Sequence, residues 1–193
     1  MVPLRAGTTS SRSVSCRAIQ SPRPLSASTG GMEGRVAEAM LRMDREVIAP
    51  QGSSIVVPKR VAEEIGGFDP RLPPSEDWDF CYRVAARYPV GYVPAVLVRY
   101  RLHGQGIHHN IARMERAMLL AFEKAFAEPA VWPLRRTSYG RLHRILAGCY
   151  FESRQPARFV RHVLESLWYD PRNIGYYAAY PLRILSRRRE KRP

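Results

Sequence analysis

Residues 73–79 constrain the fold of this chain more than any other stretch. They read Pro-Pro-Ser-Glu-Asp-Trp-Asp. The two prolines exclude a helix upstream, and Ser75 is of a type that caps helices. The first helical turn then holds three carboxylates, Glu76, Asp77 and Asp79. Unpaired N–H groups and the helix dipole favour negative charge there, so the pattern predicts a capped helix from Glu76 to about Tyr88.

Hydrophobic spacing predicts which side of this helix faces the core. The inward stripe consists of Phe80, Cys81, Val84, Ala85 and Tyr88. Arg83 and Arg87 are left for solvent.

Further elements follow from periodicity along the chain. A short β-branched run predicts a buried strand at 53–57, and a second strand with a bend at Pro94 is predicted at 92–101. Apolar residues at helical spacing predict the remaining elements as helices. These helices lie at 33–45, 60–65 and 111–128, with a hairpin of two more around 142–149 and 159–167.

Four motifs in the middle of the chain resemble the second half of the catalytic domain of family 2 glycosyltransferases, which have the GT-A fold. They occur in the family's order at 52–57, 66–69, 75–79 and 100–104, and they read Gly-Ser-Ser-Ile-Val-Val, Gly-Gly-Phe-Asp, Ser-Glu-Asp-Trp-Asp and Tyr-Arg-Leu-His-Gly. The resemblance implies an α/β fold, a partial GT-A-like domain with a helical C-terminal region. We expect an acceptor-side half domain at 33–128 and a helical hairpin region at 129–185.

The resemblance also implies a chemistry, the inverting transfer of a sugar from a nucleotide-sugar donor to an acceptor hydroxyl. Such a hydroxyl needs a base, and the family's base maps onto Asp77. Glu76 would contact either the backbone or the acceptor, and Trp78 would offer an apolar ring face to a sugar. The expected acceptor is a glycan or a lipid-linked sugar. Packing of Trp78 in the core is the structural alternative.

Two residues of the last motif are candidates for assisting the departing diphosphate. In several relatives, the histidine equivalent to His103 lies near the diphosphate or its metal ion, so the resemblance implies that Arg101 and His103 assist the leaving group. Manganese or magnesium is the cofactor expected of the complete enzyme. Residues 77–79 match the letters Asp-x-Asp, yet the family's metal motif lies upstream, in a donor-binding half that this sequence lacks. The resemblance therefore does not imply activity for this chain alone.

Net charge supports a rival, non-enzymatic hypothesis. The chain carries a formal charge of +14, with 31 lysines and arginines against 17 acidic residues. Residues 1–32 contain four arginines and no acid, which predicts a disordered basic tail, and 186–193 form a second basic tail. A basic helical module that binds anionic membrane or, less expectedly, nucleic acid is the alternative function.

The sequence also bears on where in the cell the protein is located. No run of about 18 apolar residues occurs, which predicts no membrane span. We expect a cytoplasmic chain. Aromatic residues at 174–185, directly before the arginine run, raise peripheral contact at the inner membrane face as an alternative to docking on the chain's own domain.

Overall fold

A computed structural model describes residues 31–43, 55–93 and 110–179, and these residues are mainly helical. Seven α-helices lie in this part of the chain, joined by short 3₁₀ segments at Pro129–Leu134 and Pro171–Asn173. The helices are α1 (Ala37–Arg42), α2 (Lys59–Ile65), α3 (Glu76–Arg87), α4 (Ile111–Ala125), α5 (Arg135–Glu152), α6 (Pro156–Tyr169) and α7 (Ile174–Ala178). The predicted helices are thus confirmed, although α1 is shorter than 33–45.

One apolar cluster connects four of these helices. It combines Leu41 of α1, Trp78 of α3, Phe122 of α4 and Leu142 of α5, and each of these side chains is buried. Burial of apolar area is the main favourable contribution to folding, so this cluster fixes the orientation of α3. The division at 128/129 stays a prediction, and the cluster takes residues from both sides of it.

The predicted C-terminal hairpin is confirmed by α5 and α6, which pack side by side along their length. Close approach depends on Gly140, because a Cβ atom there would lie 2.7 Å from the Cβ of Asp170. The buried Ser166 hydroxyl donates to the Gly140 carbonyl at 2.7 Å. This contact sets the register that brings the middle of α5 opposite the middle of α6.

The predicted strands are not found among the described residues. Residues 55–57 and 92–93 have no regular secondary structure, so the strand predictions are wrong for these positions, and the rest of both segments lies outside the described residues. A strand requires a neighbour that pairs with its backbone. The described segments supply one isolated antiparallel bridge, between Gly34 and Val90. A partial GT-A-like sheet is therefore not confirmed.

The rival hypothesis rests on tails that lie almost wholly outside the described residues. Of 1–32 only residues 31 and 32 are described, and none of 186–193 is. Among the described helices, none is both long and apolar enough to cross a membrane.

Candidate functional site

The start of α3 differs from the predicted cap. Ser75 occupies the N-cap position and is buried, but its side chain makes no capping hydrogen bond, so the predicted side-chain cap is wrong. The serine carbonyl instead accepts the first helical hydrogen bond, from the Asp79 N–H at 3.2 Å. All three carboxylates do lie in the first turn, as predicted.

Asp79 is a buried ion-pair centre. Its side chain is 2% exposed. Oδ2 accepts from Arg83 Nε at 2.8 Å, and Oδ1 lies 3.0 Å from Lys124 Nζ on α4. A buried carboxylate requires such partners, because its desolvation is otherwise very costly. Asp79 therefore joins α3 to α4.

Arg83 corrects a second sequence prediction, since it was assigned to solvent. Besides its bond to Asp79, it donates from Nη1 to the Ile65 carbonyl at 2.6 Å and from Nη2 to the Gly67 carbonyl at 2.7 Å. Gly66 and Gly67 turn the chain there with φ of 81° and 64°, a region that favours glycine. The arginine thus holds the turn after α2 against α3.

Asp69 extends the ion-pair network to the loop before α3. Its Oδ2 lies 2.7 Å from Lys124 Nζ and accepts from Arg71 Nη2 at the same distance, while Oδ1 accepts from the Arg71 backbone N–H at 3.0 Å. Hydrogen bonds from Arg71 and then Lys124 hold the pKa of the Asp69 carboxyl well below its usual range. Lys124 therefore bridges Asp69 and Asp79 across two segments of the motif region.

Asp77 lies on a different side of α3 from Asp79, because residues two apart on a helix do not face each other. It is half-buried, and its Oδ1 accepts from the Trp78 backbone N–H at 2.7 Å. Glu76 is also half-buried, and its Oε2 atom is buried without a hydrogen-bond partner in the described structure.

Burial, with a smaller contribution from the Asp77 charge, raises the pKa of the Cys81 thiol to about 12, which argues against a nucleophilic role for this cysteine.

Trp78 occupies the core and is 9% exposed. Its ring stacks on Tyr82 with centroids 5.6 Å apart and on Phe122 of α4 at 5.3 Å. Trp78 is therefore packed in the core, which is the structural alternative to contact with a sugar. Its contribution to the site is the placement of α3, and hence of Asp77.

The fit of a manganese or magnesium ion to residues 77–79 is poor. Such ions prefer several carboxylate oxygens arranged around one point. Asp79 has both oxygens engaged by Arg83 and Lys124, and Asp77 faces another direction. Residues 77–79 therefore do not form a site for such an ion. Arg101 and His103, the other candidates for metal or diphosphate contact, lie outside the described residues.

A groove of about 440 Å³ adjoins the other end of α3. Its lining includes Arg35 and Glu38 of the N-terminal segment together with Ala85 and Ala86. Neither Glu76 nor Asp77 lines it, so the groove adds nothing to the candidate site.

A buried polar network between α5 and α6 was missed by the sequence analysis. His143 and His162 are 4% and 0% exposed, and their Nδ1 atoms are 2.9 Å apart. Burial lowers the pKa of His143 to about 4 and also lowers that of His162, although nearby glutamates oppose the shift. Both imidazoles are therefore neutral near pH 7. The available signal was His162-x-x-Glu165, which places a histidine and a carboxylate on one helix face.

Acidification is expected to remove the stabilisation that Asp69 contributes. Its pKa is lowered in the folded chain, so this stabilisation is present above the unfolded-state pKa of about 4 and is lost as pH falls below it. We expect Asp69→Asn to lower the urea midpoint near neutral pH. The difference from the parent protein should be constant above about pH 5 and should shrink as the pH is lowered from about 4 to about 2. Urea titrations of both proteins across this range test the point, and a constant difference would contradict it.

Comparison with known proteins gives one positive result. No curated protein and no solved structure matches the chain. A family model described as glycosyltransferase-like family 2 matches residues 31–127. The match contains α1 to α4 and the whole Asp69–Lys124–Asp79 network. It does not favour the rival hypothesis of a basic binding module. Since the match covers half of the 193 residues, the chain belongs to the glycosyltransferase-like family 2.

Proposed function

We propose that this protein takes part in sugar transfer from a nucleotide-sugar donor to an acceptor hydroxyl, with Asp77 as the general base. The observation that carries the proposal is the different surroundings of Asp77 and Asp79, two carboxylates within the residues that match the family model. Asp79 is buried and paired with two cations, whereas Asp77 is half-buried in the first turn of the same helix.

The arrangement suits a base in two respects. A base must be held rigidly, because small errors in position reduce the rate of proton transfer. The ion pair of Asp79 with Lys124 and the stacking of Trp78 on Phe122 hold the first turn of α3, which contains Asp77, against α4. A base must also be ionised, and the start of a helix favours the charged form of a carboxylate.

We propose that the transfer proceeds with inversion, so that the acceptor oxygen attacks from the face opposite the diphosphate. In that step the O–H bond breaks as the new glycosidic bond forms, Asp77 accepts the proton, and the nucleoside diphosphate leaves with the bonding electrons. We assign contact with the acceptor to Glu76 because it is half-buried and directly precedes Asp77. Trp78 acts from the core, as a positioning residue.

Release of nucleoside diphosphate by the purified chain tests the proposal. A panel of sugar nucleotides is supplied with glycan and lipid-linked acceptors, and the rate is compared for the parent protein, Asp77→Asn and the control Glu63→Gln. Glu63 is an exposed carboxylate on α2 that pairs with Lys59 at 3.6 Å. Removing a general base typically costs about 100-fold or more, so we expect that loss for Asp77→Asn and an unchanged rate for Glu63→Gln. An Asp77→Asn protein of parental rate would contradict the role of this residue, and a parent protein inactive with every donor would contradict transfer by this chain.

A further inference from the structure

We propose that His143, His162 and Glu165 bind a divalent transition-metal cation, with Zn²⁺ as the best fit. The three side chains lie between α5 and α6, outside the residues that match the family model. Nothing in the proposed sugar transfer uses them, so the two proposals stand or fall separately.

Three ligand atoms converge on one point. His143 Nδ1 lies 2.9 Å from His162 Nδ1 and 2.8 Å from Glu165 Oε2, and His162 Nδ1 lies 3.6 Å from the same oxygen. Ligands at about 2.0–2.1 Å from a tetrahedral zinc ion are separated from one another by about 3.3 Å. The three observed separations bracket this value. Two imidazoles and one carboxylate are also a ligand set found in zinc sites that keep a fourth position for water.

Unsatisfied polar atoms favour a cation over a closed hydrogen-bond network. Glu165 Oε2 is buried and has no hydrogen-bond partner in the described structure, although His143 Nδ1 is 2.8 Å away. Buried polar atoms are normally satisfied, and an orphaned one calls for an explanation such as an ion. A cation between the two Nδ1 atoms and Glu165 Oε2 would accept one lone pair from each of these three atoms.

Residues around the cluster hold the ligands in place. Arg161 Nε donates to Glu165 Oε1 at 2.9 Å, which leaves Oε2 directed at the histidines. His162 Nε2 lies 3.5 Å from Glu115 Oε1 on α4 and is buried without a hydrogen-bond partner in the described structure. Tyr150 donates to the other Glu115 oxygen and fixes that side chain.

The types of ligand atom and the exposure of Glu165 indicate which cation fits the cluster. The Glu165 side chain is 32% exposed while both histidines are buried, so the glutamate is the ligand nearest to solvent. Imidazole nitrogen suits zinc and its transition-metal neighbours, whereas magnesium and calcium prefer oxygen ligands. We therefore expect zinc to bind and magnesium not to bind.

Zinc titration of the full 193-residue chain, stripped with chelator, tests the site. We expect about one Zn²⁺ per chain, no binding of Mg²⁺, and a melting temperature about 5 °C higher at 100-fold excess over Kd. Three histidines outside the described residues, His103, His108 and His109, are replaced together by alanine in a parallel protein. Its zinc affinity should be unchanged.

Two matched substitutions complete the test. Glu165→Gln replaces the proposed ligand carboxylate with a neutral amide of nearly the same size. Glu152→Gln makes the same change at an exposed position of α5. We expect at least a 10-fold weaker Kd for Glu165→Gln and the parental Kd for Glu152→Gln. His143→Gln serves as a second ligand variant, with circular dichroism to verify its fold. Parental affinity in Glu165→Gln, or zinc binding that disappears with the three other histidines, would overturn the proposal.

Discussion

Replacing Asp79 with alanine is expected to lower the free energy of unfolding by about 3–5 kcal/mol, the usual result of removing one partner from a buried ion pair. The carboxylate is 2% exposed and engages two cations, while Arg83 and Lys124 are each about one quarter exposed. Without Asp79 both cations remain partly buried with too little negative charge. The urea midpoint, followed by circular dichroism, measures the effect.

Two controls separate this effect from a general loss of charge. Glu63→Ala removes an exposed carboxylate whose ion pair with Lys59 is open to solvent, so it should cost less than about 1 kcal/mol. Asp69→Ala removes the other carboxylate that contacts Lys124. Because the two acids share this lysine, the double variant with Asp79→Ala should deviate from the sum of the single changes. A cost below 1 kcal/mol for Asp79→Ala would show that the buried pairs do not hold α3 against α4.

The Asp79 network also shows why the sequence predicted the helix and missed the role of its acids. Proline and serine before the helix, and acids in its first turn, are local signals, and they predicted where α3 begins. The partner that gives Asp79 its role is Lys124, on a different helix far along the chain. Tertiary packing of this kind leaves no mark on local spacing. Arg83 was misassigned for the same reason, since its partners are backbone carbonyls of the turn after α2.

Strands were harder to predict than helices for a related reason. A helix satisfies its own backbone, so the apolar spacing of α4 and α6 was sufficient evidence. A strand satisfies its backbone only through a neighbour, and a β-branched run such as 53–57 does not identify one. Residues 55–57 are in no strand. Four spaced motifs were nevertheless enough to predict the family.

The candidate base could be proposed from sequence, but its surroundings could not. Asp77 came from resemblance to a family motif, and its half-buried position at the start of α3 is compatible with that role. The histidine pair lay outside every motif. Its significance depends on the register between α5 and α6, which the contact of Ser166 with Gly140 sets. Register between helices is a property of packed shapes, and it cannot be counted from spacing on either helix alone.

Replacing Trp78 with alanine is expected to cost about 3–5 kcal/mol of unfolding free energy, as for other buried tryptophans. The ring is 9% exposed and stacks on Tyr82 and on Phe122 of α4, so its removal leaves a cavity where α3 meets α4. Trp78→Phe should cost less, because a ring remains against Phe122. Urea unfolding of both variants measures the difference.

Trp168 provides the matched control, because the same residue type on α6 is 80% exposed. Trp168→Ala should change the unfolding free energy by no more than about 0.5 kcal/mol. If Trp78 served mainly as a sugar platform, Trp78→Ala would keep the parental urea midpoint and lose only transfer activity. The packed position predicts the reverse result, a lower urea midpoint for Trp78→Ala. Under the proposed role of Asp77, a loss of activity then follows from the weakened packing of α3.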